Sequence, residues 1–391
     1  MPRRSAFLPL LFSVLALGIA DSMIGPYLVL FGADEAGLSP LRVGIFMSLV
    51  SLSGLAVSTW LGRRYDRSAS RWPALVAVVA PAVGYLALTT TSAYPLLLLV
   101  GVGLLGAGMA AFPQVFTLAR THLDRTGGAA VRRGTPALRS VWSLAWAVGP
   151  MVGAAMLALG GYDLLMVVTA AAFGLVAVPL ALLGRTPAPL PPAEPAADGG
   201  RLSRPLLLAA GSFTLFHTAM LAGSVVLPLY VTRTLHQSDS AVGLLFSVCA
   251  IVEVPAALAT MLLPARSPVR AIIVAGMVLF AGYFVLVSAS ATMPLLIATQ
   301  VARGVALAVV GALGITYVQD LAPGATGRTT ALYANTLTVG SLVSGVLAGA
   351  TAQTLGYRPA LLVCAGLAAA GCVLLAVSAV VRPRAALAYP G

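Results

Sequence analysis

Lysine is absent, and all 23 basic residues among the 391 are arginine. A Walker-type phosphate loop needs its lysine on the nucleotide phosphates, so the chain carries no such ATPase. Charge of either sign is scarce, at 9% against about 25% in soluble domains. Cysteine is nearly missing: Cys249, Cys364 and Cys372 are an odd number and lie within apolar stretches, which argues against a disulfide framework or a thiolate metal site. No cluster of side chains has metal-ligand spacing, and no nucleophile–base pair can be argued. Neither metal, cofactor nor enzymatic chemistry is expected.

What fills the chain instead is apolar: 59% of residues are hydrophobic and the mean hydropathy is +0.98. Twelve apolar runs occur, at about 6–31, 41–61, 72–91, 95–119, 136–159, 162–183, 205–232, 240–264, 269–290, 294–318, 328–353 and 358–381. Each can cross a hydrocarbon core of about 30 Å as a helix. None alternates apolar and polar residues, so helices are expected rather than a β-barrel. The first run is too long for a signal-peptide core and no small-residue cleavage site follows it, so it reads as a retained span.

The net charge of +12 is a topology signal, not a nucleic-acid footprint. The odd-numbered loops hold only Arg42, Arg233 and Arg358. Apart from Arg303 inside span 10, the other arginines fall in the termini and even-numbered loops or, like Arg139, at the adjoining end of a span. Arginine excess marks cytoplasmic loops, which places both termini in the cytoplasm and the chain in the plasma (inner) membrane.

Residues 184–204, rich in Pro, Ala and Gly, read as a flexible cytoplasmic linker between halves 1–183 and 205–391. The halves repeat each other. Val43-Gly44 and Ser48 return as Val242-Gly243 and Ser247, Pro95-Leu96-Leu97 as Pro294-Leu295-Leu296, and Gly149 as Gly340. This predicts an all-α membrane protein of twelve transmembrane helices in two pseudo-symmetric six-helix bundles.

Two parallel halves with a site between them resemble the major facilitator superfamily. The loop after span 2, Gly62-Arg63-Arg64-Tyr65-Asp66-Arg67 with Arg71, resembles its signature, and Gly149-Pro150 with Gly153 its exporter motif. The segments Phe112–Arg120, Leu138–Pro150, Val252–Pro255, Tyr317–Gly324 and Leu332–Gly340 resemble, in the same order, the bacterial sugar efflux transporters. The resemblance implies export of sugars or glycosides from the cytoplasm in exchange for protons, by a monomer in contact with membrane lipid. Gln114, Arg139, Glu253, Gln319, Asp320 and Asn335 match positions in that family's motifs. Asp21 and Arg303 do not. The resemblance also suggests that Asp66, Arg67 and Arg139 latch the cytoplasmic ends of the halves in the outward-open state; the alternative is a solvated face near anionic lipid.

Asp21, His217, Glu253 and Arg303 sit deep within spans. A charge at bilayer depth costs roughly 2.5–3.5 kcal/mol on insertion scales, so such groups are expected to pair or to face a water-filled cavity. Glu253, beside Pro255, reads as a proton carrier, a sugar-hydroxyl acceptor or a structural ion-pair member. Asp21 and His217 are further proton-coupling candidates; His217 reads equally as a hydrogen-bonded packing residue. Arg303 stays ionised and is expected to pair with Asp21, Glu253 or both in one conformation, and it is also a substrate-binding candidate. The amides of Gln114 and Asn335 suit sugar hydroxyls. Trp142, Trp146, Phe216, Tyr27 and Tyr333 could stack on a pyranose or simply pack. A drug exporter of the same class and a non-transporting sensor or scaffold on the same fold are the alternatives.

Overall fold

The computed structural model describes residues 7–68, 70–124, 128–182, 203–264, 266–322 and 325–378. The expected linker lies outside the described residues except for its last two positions. Helix dominates throughout. α1 is Phe7–Asp34. α2, Pro40–Arg67, starts where the Ser39 hydroxyl accepts from the Arg42 amide (3.4 Å) and Pro40 occupies the first turn, where a missing N–H costs nothing. α3 is Trp72–Leu88.

α4, Tyr94–Leu123, is irregular in its middle. Four glycines between 101 and 108 weaken the helix there; Gly101–Leu105 widens into a π turn and Met109–Ala110 form a tight turn. The helical stretch Gly128–Leu182 breaks at Gly160 and Gly161. Gly161 has φ 67°, a left-handed conformation that only glycine adopts freely, so the stretch folds back as α5 (128–159) and α6 (162–182).

The second half repeats the plan: α7 Arg204–Thr234, closed by the π turn Tyr230–Thr234, α8 Asp239–Thr260, α9 Val269–Ala289, α10 Met293–Asp320, α11 Thr326–Leu355 and α12 Tyr357–Val377. Ten helices among the described residues are long and apolar enough to cross a membrane. One of the ten contains both α5 and α6, and α3 falls one residue short of that length, so the twelve expected segments are all present as helical limbs.

Within the first half α1 packs on the α5–α6 pair, as does α3; within the second, α7 packs on α11 and α12, and α10 on α8 and α9. The halves meet along two seams, α2 against α11 and α5 against α8. Both seams rest on the repeated glycines. A Cβ on Gly44 would collide with the Gly345 carbonyl, and one on Gly349 with the Pro40 carbonyl. On the other seam a Cβ on Gly243 would strike the Tyr27 hydroxyl and the Pro150 carbonyl. Without side chains at these points the backbones touch, which suits helices in lipid, where close van der Waals packing replaces the hydrophobic drive.

Candidate functional site

The contacts between halves concentrate at the end of the molecule that carries the odd-numbered loops. α2 and α8 both begin there, and Gly44 and Gly243 lie about one turn inside. Ser48 Oγ accepts from the Val346 amide (3.0 Å), and the Leu41 amide donates to Gln353 Oε1 (3.2 Å). Arg233, on the π turn that ends α7, forms an ion pair with Asp34 at the end of α1 and donates to the Ala33 carbonyl (3.1 Å). The Tyr162 hydroxyl of α6 holds the other Asp34 oxygen at 2.9 Å. One carboxylate is thereby gripped from both halves.

Towards the opposite end, among the described residues, α4 shares no packed face with α10, its counterpart in the second half. α5 there exposes two separate stripes. Leu144, Val148 and Met151 form one. The exposed Arg139 and Trp146 form the other with the part-buried Trp142, which also packs beside Gly18 of α1, at i, i+3 and i+7. The second stripe lies between the α5 positions that touch α1 (Ala145, Gly149, Gly153) and those that touch α8 (Pro150, Ala154), so it looks into the space between the halves. Trp146 is 39% exposed. Phe112 and Phe116 of α4 extend the stripe: the Phe112 ring is 4.3 Å from Phe116 and 4.6 Å from Trp142, Trp142 is 6.2 Å from Trp146, and the Arg139 guanidinium sits 5.7 Å above Phe112. This aromatic ladder with a cation at one end is a stacking platform. A concavity beside it is lined by Pro113, Phe116, Thr117, Arg120 and Leu138.

In the second half the charge is buried. Arg303 of α10, 5% exposed, donates to Ser224 Oγ of α7 (3.0 Å) and to Gln300 Oε1 (3.4 Å). Its guanidinium lies 4.6 Å from the Phe246 ring centre and 6.0 Å from that of Tyr283. Four helices thus build a cage of hydroxyl, amide and aromatic faces. Glu253 shares the α8 stripe of Phe246 and Cys249 and lies within electrostatic range of Arg303 without forming an ion pair.

In this arrangement Arg303 forms no ion pair with Asp21 or Glu253 among the described residues. Among the described residues the contacts of Arg303 come from its own half, and its weakly hydrated guanidinium is satisfied there by neutral acceptors and ring faces. Asp21 is half-buried, with Tyr85 of α3 as its electrostatic neighbour, and Tyr85 stacks on Phe173 of α6 (5.8 Å).

Other candidates divide. The His217 ring shares a hydrogen bond with Thr336 Oγ1 of α11 (2.9 Å) and packs edge-on to Phe216 and Tyr333, so it ties α7 to α11. Tyr27 and Phe216, which could stack or pack, are both seen here in packed positions. Tyr27 is fully buried and donates to the Pro150 carbonyl (3.0 Å); Phe216 is sealed against Phe280 (4.9 Å). Gln114 is buried, and its Oε1 has no hydrogen-bond partner among the described residues. Asn335 is exposed on the α11 stripe of Val339 and Val346, apart from the Thr336–Gly340 face that meets α7. Gln319 bonds Thr330 (2.9 Å), and Asp320 is exposed. Asp66 and Arg67 are exposed at the even-loop end and form no ion pair among the described residues. Sequence reasoning missed Phe112, Phe116, Ser224, Phe246, Tyr283, Gln300 and the Arg233–Asp34 pair. The last carried a signal: arginine in an odd-numbered loop runs against the trend of this chain.

Helical halves joined at one end around a cleft define a membrane transporter fold. The model of the Major Facilitator Superfamily matches residues 10–226 and 208–390. A putative sugar efflux transporter of Deinococcus radiodurans is 41% identical over 93% of this chain and 95% of its own. Sugar efflux transporter A of Dickeya chrysanthemi is 31% identical over 95% and 94%. Among solved structures, the nucleoside transporter NupG superposes with TM-score 0.79 at 14% identity, over 97% of this chain and 100% of that one. A bacterial homolog of the human lysosomal transporter Spinster, in its inward-facing and occupied conformation, gives 0.78 at 12%, over 98% of each. The chain belongs to the major facilitator superfamily and, within it, to the bacterial sugar efflux transporter family.

Proposed function

We propose that the protein exports sugars or glycosides from the cytoplasm by alternating access, in exchange for protons. The observation that carries this reading is that, among the described residues, the halves are bonded at one end, while Arg139 and Trp146 are exposed on the α5 stripe towards the other. The arginine distribution puts the even-numbered loops and both termini in the cytoplasm. The joined end then faces outside, and the arrangement is inward-open.

Cargo enters between the two halves. A pyranose ring stacks on the Trp142–Trp146–Phe112 ladder, while Glu253 takes either a sugar hydroxyl or a proton. Protonation of Glu253 removes its attraction for Arg303, which loosens the cage that Arg303 shares with Phe246 of α8. Asp21 is a second protonation point, in the first half. His217 serves packing, and Gln114 acts from within its own bundle. For the outward-open state the Arg233–Asp34 pair must break, and Asp66, Arg67 and Arg139 are the groups placed to join the cytoplasmic ends.

The apolar length of the ladder supports a second reading, export of amphipathic drugs. Inverted membrane vesicles test both. Accumulation of radiolabelled lactose or glucose when the interior is acid, abolished by a protonophore, is the expected result. Accumulation of an amphipathic dye without sugar supports the second reading. Inert vesicles containing folded protein contradict transport altogether.

A further inference from the structure

At the even-loop end of α2, Trp60, Arg63, Arg64 and Arg67 occur at i, i+3, i+4 and i+7. At 3.6 residues per turn they share about 100° of the helix surface. Trp60 is 54% exposed and meets Trp72, 45% exposed, at the start of α3, their rings edge-on at 5.6 Å. The three guanidinium groups are exposed and make no hydrogen bond or ion pair among the described residues. The carboxylate nearest along α2, Asp66, is itself exposed and forms no ion pair among them. Arg71, across the short connection, donates to the Ala181 carbonyl of α6.

Tryptophan pairs of this kind settle at the boundary between hydrocarbon and headgroups. Arg67 lies seven residues beyond Trp60, about 10 Å further along the axis, which is headgroup depth. Three cations without a partner among the described residues need anionic partners, and the bilayer offers lipid phosphates.

We infer that the α2–α3 corner is a binding site for an anionic phospholipid, with Arg63, Arg64 and Arg67 on the headgroup phosphate and the Trp60–Trp72 pair on the glycerol and upper acyl chain. The site is independent of the cargo that the protein carries.

The test is native mass spectrometry of the full chain released from nanodiscs of equal phosphatidylglycerol and phosphatidylcholine. Retention of phosphatidylglycerol over phosphatidylcholine is expected, falling about fivefold for each arginine removed. The R63Q/R64Q/R67Q variant should lose the preference, and W60L/W72L should weaken retention of the anionic lipid while leaving the arginines in place. Thermal melting in detergent confirms that each variant is folded. Equal retention of the two lipids by the native chain, or an undiminished preference in the folded triple variant, overturns the proposal. So does displacement of the lipid by inorganic phosphate, which would mark a simple ion site.

Discussion

The two ends of the molecule are held by different chemistry. At the odd-loop end the halves touch through missing side chains, Gly44 on Gly345 and Gly243 on Pro150, with a single ion pair, Arg233–Asp34, beside them among the described residues. At the even-loop end the α5 surface between the α1 and α8 contacts carries long side chains, among them Arg139 and Trp146. Backbone contact is short-ranged and fixed in register, whereas arginines and aromatics reach across gaps. One end seats closely, and the other carries side chains long enough to span a gap.

The most severe way to break that contrast is to add volume to a glycine seam. Gly44→Leu must displace the Gly345 backbone, and overpacking of this kind costs typically about 1–3 kcal/mol. Transport in vesicles should drop on the order of a hundredfold, because the joined end can no longer seat. Gly282→Ala, where a Cβ meets nothing, should leave both melting temperature and transport near native. Equal behaviour of the two variants would sink the seam argument.

A comparison of aromatics sharpens it next. Phe216→Ala empties a sealed position and should lower stability by about 3–5 kcal/mol in denaturant titration. Trp146→Ala should change stability by less than about 1 kcal/mol while raising the apparent KM for cargo. The reverse pattern would mean that the stripe on α5 is core and not cleft.

Arg303→Met leaves Ser224 and Gln300 without their charged partner and should cost about 1–3 kcal/mol. Its effect should add to that of Asp21→Asn within about 0.5 kcal/mol, since the two groups lie in separate halves with no contact between them among the described residues. A coupling well above that value would show that the two groups pair in another conformation.

The smallest effect is expected from Arg233→Gln. An exposed ion pair contributes up to about 1 kcal/mol, so the variant should fold normally. A cysteine placed at Ala36 should react with an impermeant maleimide a few times faster in it, and an unchanged rate would remove Arg233 from the closing machinery.

Spans, duplication and the glycine repeats were legible because each is local: apolar length gives a helix, and Val-Gly with Ser at the heads of α2 and α8 gives two equivalent seams. The break at Gly160–Gly161 was legible for the same reason. Partner choice across space was not. Arg303 is satisfied by Ser224, Phe246 and Tyr283, contributed by three other helices, and no spacing along α10 reveals them. Nor does an aromatic side chain declare whether it faces a cleft. Tyr27 and Trp146 read alike in sequence, yet one lies under Gly153 and the other between two helix contacts.

The central claim, that one end is joined while the other stands open, is tested most directly by paired spin labels in a background without the three native cysteines. One pair, at Thr59 and Gly327, reports the even-loop end; the other, at Arg42 and Leu355, reports the odd-loop end. In cargo-free vesicles the account predicts a long distance for the first pair and a short one for the second, with the two changing in opposite directions when cargo and a pH gradient are supplied. Distances that stay fixed at both ends, or that lengthen and shorten together, would contradict it.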